Sequence, residues 1–343
     1  MEKKCKLKKV LKKVLCIVLI LFAVYVVLGF VPCGDTYPLD NPMRTDSDLP
    51  VLAAHGGGNR EFPDNTLEAY YNAYSVDENF MIETDVNITK DGVVILSHDT
   101  TLDRKTNVTG NIIDWNYSDL MAQKVDFGYT NPVDENKQLA GERVHFATDD
   151  GQEKYPTDVS YPAGVEPRDE KVFLATTLEE LLVAFPNTTA IVEIKQSGDT
   201  GMNALHEILR ILEELDAYDR VVLASFHEEL YNEYQRLQED GEVPVEFMCS
   251  PGYAGAIKFF VLQALNLDMF FGDDINSFQL PMKQFGINLA TKNFMKTVHE
   301  HNLAVHYWTV NDVEDMHKLV EIKADGIITD YPHRLKEVLD TYR

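Results

Sequence analysis

Short apolar runs alternate with segments of helical period along most of this chain. The runs at 51–54, 80–86, 189–195, 220–225, 244–248, 268–272, 303–308 and 326–329 have strand length and are rich in β-branched or aromatic residues. The alternation predicts βα units on a parallel sheet. Eight such strands with seven or eight helices predict an α/β fold of the (β/α)8, or TIM, barrel type. The pattern breaks between 105 and 172, where Asp, Asn, Gly, Pro and Tyr dominate. That stretch is too long for an ordinary connection and is expected to be an insertion after the second strand. It fits either a solvated, partly mobile excursion or a lid that selects part of a substrate.

The first 50 residues follow different rules. Residues 1–13 hold seven Lys and one Glu, and residues 14–31 are 18 uncharged, almost wholly apolar positions. That run approaches the roughly 20 residues that span a bilayer, so it is expected to be an uncleaved transmembrane anchor. The basic tail 1–13 is then expected on the cytoplasmic side and the C-terminal domain outside the cytoplasm. Residues 32–49, rich in Pro, Asp and Thr, are expected to be a linker, and 50–343 the folded domain.

Charge and cysteine usage narrow the function. The whole chain carries 31 basic and 56 acidic residues. Outside the basic tail, 24 basic residues face 55 acidic ones, about −31. Such a domain repels nucleic acid and attracts divalent cations. Of the cysteines, Cys5, Cys16, Cys33 and Cys249, only one falls well inside the expected domain, which rules out an intradomain disulfide framework. No Cys/His spacing suggests structural zinc, so any metal is expected to be a hard ion on oxygen ligands.

Residues 51–99 concentrate the candidate chemistry. The run VLAA ends at His55, glycines follow, and Pro63-Asp64-Asn65-Thr66 opens an amphipathic segment. The run FMIETDV carries Glu83 and Asp85, which lie two apart and so face one way on a strand. Two inward carboxylates in an apolar strand are costly unless a cation holds them. A third run, VVILS, delivers His98 and Asp99. Strand ends therefore offer two imidazoles and hard oxygen ligands, although each of these residues taken singly also fits an ordinary hydrogen-bonded or ion-paired position.

The motif H-x-G-(x)5-P-[ED]-N-T-L-x-A-[FY], followed by I-E-x-D-V-x-x-T-K-D-G and H-D-x-x-L-D-R-x-T, resembles the glycerophosphodiester phosphodiesterases. The likeness continues at Thr177-Leu178-Glu179-Glu180, Val192-Glu193-Ile194-Lys195, Ser225-Phe226, Trp308-Thr309-Val310-Asn311 and Asp325 to Pro332, and so spans about residues 50 to 340. It implies a barrel with an insertion like that at 105–172, and hydrolysis of glycerophosphodiesters to glycerol 3-phosphate and an alcohol. His55 and His98 would be the general base and general acid. Glu83, Asp85 and Glu193 would hold one divalent cation, Mg²⁺ or Ca²⁺, and Lys195 would contact a phosphate oxygen. Phe226 and Trp308 either pack the glycerol carbons or serve only as barrel aromatics. Asn311 and Asp330 read as a helix cap and a turn residue. One departure stands out: the family places Arg directly after the first His, and here Gly56 occupies that position. Arg60, in the same loop, is the candidate to take over the phosphate contact. Two alternatives remain: cleavage of intact lipids in the manner of a phospholipase, and a non-catalytic barrel that binds phosphodiesters.

Overall fold

The computed structural model describes residues 47–130 and 143–343, together with 13–15, 17, 19, 36, 37 and 39–45. Its centre is a sheet of eight parallel strands: β1 (Val51–His55), β2 (Met81–Ile88), β6 (Ala190–Ile194), β7 (Val221–Ala224), β8 (Met248–Cys249), β9 (Ser277–Leu280), β12 (Ala304–Tyr307) and β13 (Gly326–Thr329). Their spatial order is β8-β7-β6-β2-β1-β13-β12-β9. Between the two end strands, Asn276 N donates to Cys249 O at 3.1 Å, so the barrel is nearly closed. A further strand, β3 (Val94–Leu96), runs antiparallel on β2.

Side chains alternate along each strand, and this sets two cores. Ala53, Met81, Ile191, Val222, Met248, Ala304 and Ile328 point into the barrel and form one cluster. Leu52, Ile82, Val192, Leu223, Val305 and Ile327 point outward into the larger core shared with the helices. The helix ring is α1 (Leu67–Val76), α3 (Leu178–Ala184), α4 (Gly198–Glu214), α5 (Glu228–Glu239), α6 (Tyr253–Ala264), α7 (Lys292–Glu300), α8 (Val313–Glu321) and α9 (Pro332–Asp340), with a short α2 (Tyr117–Ala122) in the excursion. The Thr66 hydroxyl caps α1 by accepting from Ala69 N, which stops the preceding loop at a fixed residue.

Two expectations change. The apolar run 268–272 is not a strand: Asp268–Phe270 forms a 3-10 turn, and the strand lies further on at Ser277–Leu280. The run DMFFG offers an apolar centre, but Phe271 is consumed in packing on Phe259 and Phe278. Strand β9 was masked because Ser277 and Gln279 alternate with Phe278, so the segment SFQL looks polar. The run 244–248 is strand only at its end. Among the described residues no helix is long and apolar enough to cross a membrane; most of 14–31 lies outside them.

The expected linker is also not free along its described part. Tyr37 and Met43 are buried in the interior barrel cluster. Asn41 donates to Asn276 O and Asn302 O at 2.8 Å each, and His306 Nε2 binds Met43 O at 3.2 Å. These partners precede or line the barrel strands at their N-terminal ends, so residues 36, 37 and 39–45 plug the end opposite the strand C-termini. Burial pushes the His306 imidazole down to about 4, which keeps it neutral inside the barrel.

The excursion after β2 and β3 is anchored to the core at several points, while much of its remaining described length is exposed. Leu102, Ile112, Leu120, Phe127 and Phe173 belong to the main core. Arg168 donates to Leu174 O and Ala175 O at 3.0 Å and lies 3.4 Å from Glu68 of α1. A two-stranded ribbon of β4 (Tyr129–Thr130) and β5 (Val144–His145) flanks residues 131–142, which lie outside the description.

Met43 is fully buried, so Met43→Ala is expected to cost about 2–5 kcal/mol in denaturant unfolding, whereas a free linker would show no change.

Candidate active site

Strand register assembles the site. His55 of β1 is paired with Glu83 of β2, and Asp85 of β2 with Glu193 of β6, so all four sit at the C-terminal mouth of the barrel. Oxygens of Glu83, Asp85 and Glu193 lie within 4.8 Å of one another. Lys195, just beyond β6, sets its ammonium 2.8 Å from Asp85 Oδ1 and 2.7 Å from Glu193 Oε1. Burial, with the charges of Asp85 and Glu193, pushes the Glu83 carboxyl up to about 7. Burial also raises Glu193, against the pull of Lys195. Burial alone would lower the Lys195 ammonium, but the two carboxylates hold it above its ordinary value.

The carboxylates are oriented by neighbours. Gly56 N donates to Glu83 Oε2 at 3.0 Å, and Asn65 Nδ2 donates to Asp85 Oδ2 at 3.0 Å. Asn65 Oδ1 in turn accepts from Asp85 N and Thr84 Oγ1, which locks the loop after β1 to β2. Gly56 has φ +54°, and a Cβ there would stand 3.0 Å from Asp64 Cβ. The glycine thus gives its backbone amide to Glu83 and leaves no room for an unstrained side chain.

Each histidine is steered by an aspartate. His55 Nδ1 lies 2.6 Å from Asp330 Oδ1, and Asn311 Nδ2 holds the other oxygen of Asp330 at 2.6 Å. Burial opposes charge on His55, but Glu83 and the bonded Asp330 raise it to about 10. His98 Nδ1 lies 3.0 Å from Asp99 Oδ1, and Arg104 Nε donates to Asp99 Oδ2 at 2.7 Å. The Asp99 bond raises His98. Burial resists ionisation of Asp99, yet its bonds from His98 and Arg104 bring it down to about 2. With each Nδ1 engaged, the free Nε2 is left for proton transfer.

His55, Glu83, Asp85, His98, Glu193, Lys195, Phe226 and Trp308 line one cavity of about 620 Å³. Phe226 and Trp308 face each other edge to face at 6.1 Å across it. The structure does not bring Arg60 there. Its guanidinium lies 3.7 Å from Asp149 of the excursion, whose other oxygen accepts from the Tyr331 hydroxyl. A carboxylate partner outside the cavity draws it away from the position expected of a phosphate ligand.

Asp330 and Asn311 also differ from expectation. Asp312 caps α8, accepting from Glu314 N and Asp315 N, and Asn311 instead fixes Asp330, which fixes His55. Nothing local in the sequence signals a pairing across 275 residues. Arg104 was visible only as the Arg of L-D-R, without a role.

A parallel eight-stranded barrel whose mouth joins two aspartate-steered histidines to three clustered carboxylates defines the class as a barrel phosphodiesterase. The sequence profile of the Glycerophosphoryl diester phosphodiesterase family matches residues 55–334, and the chain belongs to that family. A lysophospholipase D of Homo sapiens is 24% identical over 85% of this chain and 85% of its own length. A probable glycerophosphodiester phosphodiesterase 2 of Mycobacterium tuberculosis is 24% identical, covering 84% of this chain and 90% of its own. Among solved structures, the glycerophosphoryl diester phosphodiesterase domain of another Mycobacterium tuberculosis protein superposes with TM-score 0.61 at 16% identity, over 84% of this chain and 98% of that one. An Oleispira antarctica phosphodiesterase, in complex with the product sn-glycerol-3-phosphate, gives TM-score 0.58 at 18% identity, over 85% of this chain and 97% of that one.

Because its folded-state value is raised, His98 contributes stability that is fully present below 6.5 and fades as pH rises through the folded value. Asp99→Asn is expected to return His98 towards 6.5, read from imidazole NMR titration; an unmoved titration would show that Asp99 does not steer it.

Proposed function

We propose that the chain hydrolyses glycerophosphodiesters to glycerol 3-phosphate and an alcohol. One observation carries the reading: two histidines, each with an aspartate on Nδ1, share a cavity with the carboxylates of Glu83, Asp85 and Glu193. The product bound to the Oleispira relative supports it.

A divalent cation, Mg²⁺ or Ca²⁺, fits the acidic trio. The donors are all hard oxygens, and the Lys195 ammonium between Asp85 and Glu193 stands in for positive charge at that spot. When bound, the ion would supply charge that polarises the phosphoryl group and lowers the pKa of a coordinated hydroxyl. Lys195 would then be available to a phosphate oxygen. His55 and His98 exchange protons with the attacking hydroxyl and the leaving alkoxide, the one acting as base and the other as acid. The nucleophile in this reading is the substrate's own glycerol hydroxyl, with water opening a cyclic phosphate afterwards. Asp330 and Asp99 keep both rings in the tautomer that presents Nε2. Phe226 and Trp308 bracket the glycerol carbons.

The apolar side of the cavity, with Ile257, Phe260, Leu280 and Leu289, favours alcohols or glycerol substituents that carry a hydrocarbon chain. Lysophospholipids are therefore the second substrate class, in keeping with the name of the human relative. The run 14–31 supports a membrane-anchored protein with its barrel outside the cytoplasm. Residues 36, 37 and 39–45 join the barrel at its far end, so the tether does not by itself bring the mouth to that bilayer.

A panel of glycerophosphocholine, glycerophosphoglycerol, lysophosphatidylcholine and intact phosphatidylcholine, with and without EDTA, tests the reading. Cleavage of glycerophosphodiesters that EDTA abolishes is expected, and Glu83→Ala is expected to abolish it without unfolding. Added cation should raise the melting temperature of wild type but not of Glu83→Ala. An active preparation whose melting is indifferent to Mg²⁺ and Ca²⁺ would count against the metal site. His55→Ala and His98→Ala should each lower kcat by about 10²–10⁴-fold with KM little changed. Arg60→Ala should leave kcat/KM within about twofold of wild type, since a lost charge-assisted phosphate contact would instead cost about tenfold or more.

A further inference from the structure

The rim of the cavity carries large apolar side chains that point to solvent. Phe226, Tyr253, Ile257, Val261, Phe285 and Ile287 all line the cavity, yet every one of them is exposed, Phe285 at 80%. Tyr253, Ile257 and Val261 lie at i, i+4 and i+8 of α6, opposite the buried Gly255 and Phe259, so the helix turns an apolar stripe outward. Phe285 and Ile287 belong to the hairpin of β10 (Lys283–Gln284) and β11 (Ile287–Asn288), whose tip leans on Tyr253 through Gln284. The tip itself is unusual. Phe285 takes φ +49°, a conformation that costs energy for a bulky residue, and it has no core contact to offset that cost. A polar residue such as Asn would sit there with less strain and better solvation.

We propose that this rim docks on a lipid surface, with the hairpin tip and the α6 stripe entering the level between headgroups and acyl chains. The partner is a zwitterionic glycerophospholipid surface. The chain carries −25, so anionic lipid repels it at long range, whereas α6 contains no acidic residue and contributes only Lys258, already paired with Asp273. The patch is continuous with the catalytic mouth, so a lipid-borne substrate would pass from the surface into the cavity along apolar side chains without crossing water. Residues 36, 37 and 39–45 plug the opposite end of the barrel and do not cover it.

The full-length chain carrying Phe285→Trp is mixed with phosphatidylcholine vesicles whose acyl chains are brominated, and its emission is compared with the parent chain and with Val183→Trp on the exposed flank of α3. Docking predicts quenching at position 285 and none at 183. Adding Ile257→Ser and Ile287→Ser to Phe285→Trp should raise the lipid concentration needed for quenching by at least about tenfold, since two apolar side chains return to water. Absence of quenching at 285, or equal quenching at both positions, overturns the proposal. So does a rim that pairs with a second copy, seen as an oligomer that Phe285→Ser/Ile287→Ser dissociates. The readout is binding alone, so it stands or falls independently of the proposed hydrolysis.

Discussion

Mutual repulsion among Glu83, Asp85 and Glu193 is the constraint around which this molecule is arranged. Three carboxylates on neighbouring strands, in a pocket where burial lifts Glu83 to about 7, would drive the mouth apart if left alone. The chain meets this with Lys195 between two of them, with His55 against Glu83, and with amide donors from Gly56 and Asn65. Each of those groups comes from a loop or strand end, so the same residues that neutralise the charge also bind β1, β2 and β6 to one another. Charge compensation at the mouth and the mutual bracing of β1, β2 and β6 are in this way one problem with one solution.

The remainder of the fold supplies rigidity behind that site. Inward side chains form a single packed layer from seven strands, and the plug of Tyr37 and Met43 completes it from the far end. A packed interior leaves the strand ends little freedom, which suits chemistry that depends on keeping two imidazoles at fixed positions. The steering aspartates extend the rigidity outward. Asp330 is held by Asn311, and Asp99 by Arg104, which also reaches Asp64 at 3.4 Å. Arg104 and the buried Lys105 thereby tie the start of the excursion to the loop that follows β1. At its start, the excursion therefore belongs to the scaffold of the site.

Opposite the polar wall, the mouth is apolar and remains open. Polar chemistry on one side and hydrocarbon on the other suits a substrate whose phosphodiester and chain differ in the same way. The exposed aromatics at the rim prolong that apolar side onto the surface. A strained, solvated phenylalanine at the hairpin tip marks where that apolar side reaches furthest into solvent.

Much of this was legible along the chain because it rests on local rules. Period-two strands alternating with helices define a barrel, and carboxylates two residues apart on β2 must share a face, so spacing alone pairs Glu83 with Asp85. His55, His98, Glu193 and Lys195 followed from strand ends and from likeness to a family. What the sequence alone left undecided depends on approach between distant segments. Strand β9 was hidden because the polar Ser277 and Gln279 alternate with Phe278, and the segment 268–272 passed for a strand because apolar composition does not say against what it packs. Arg60 was drawn to Asp149 by a fold of the excursion that no periodicity records. The partnership of His55 with Asp330, and the seating of Tyr37 and Met43 beneath the barrel, exist only because closure brings the two ends of the chain together. Local spacing determines which faces side chains share; only tertiary packing determines which of them meet.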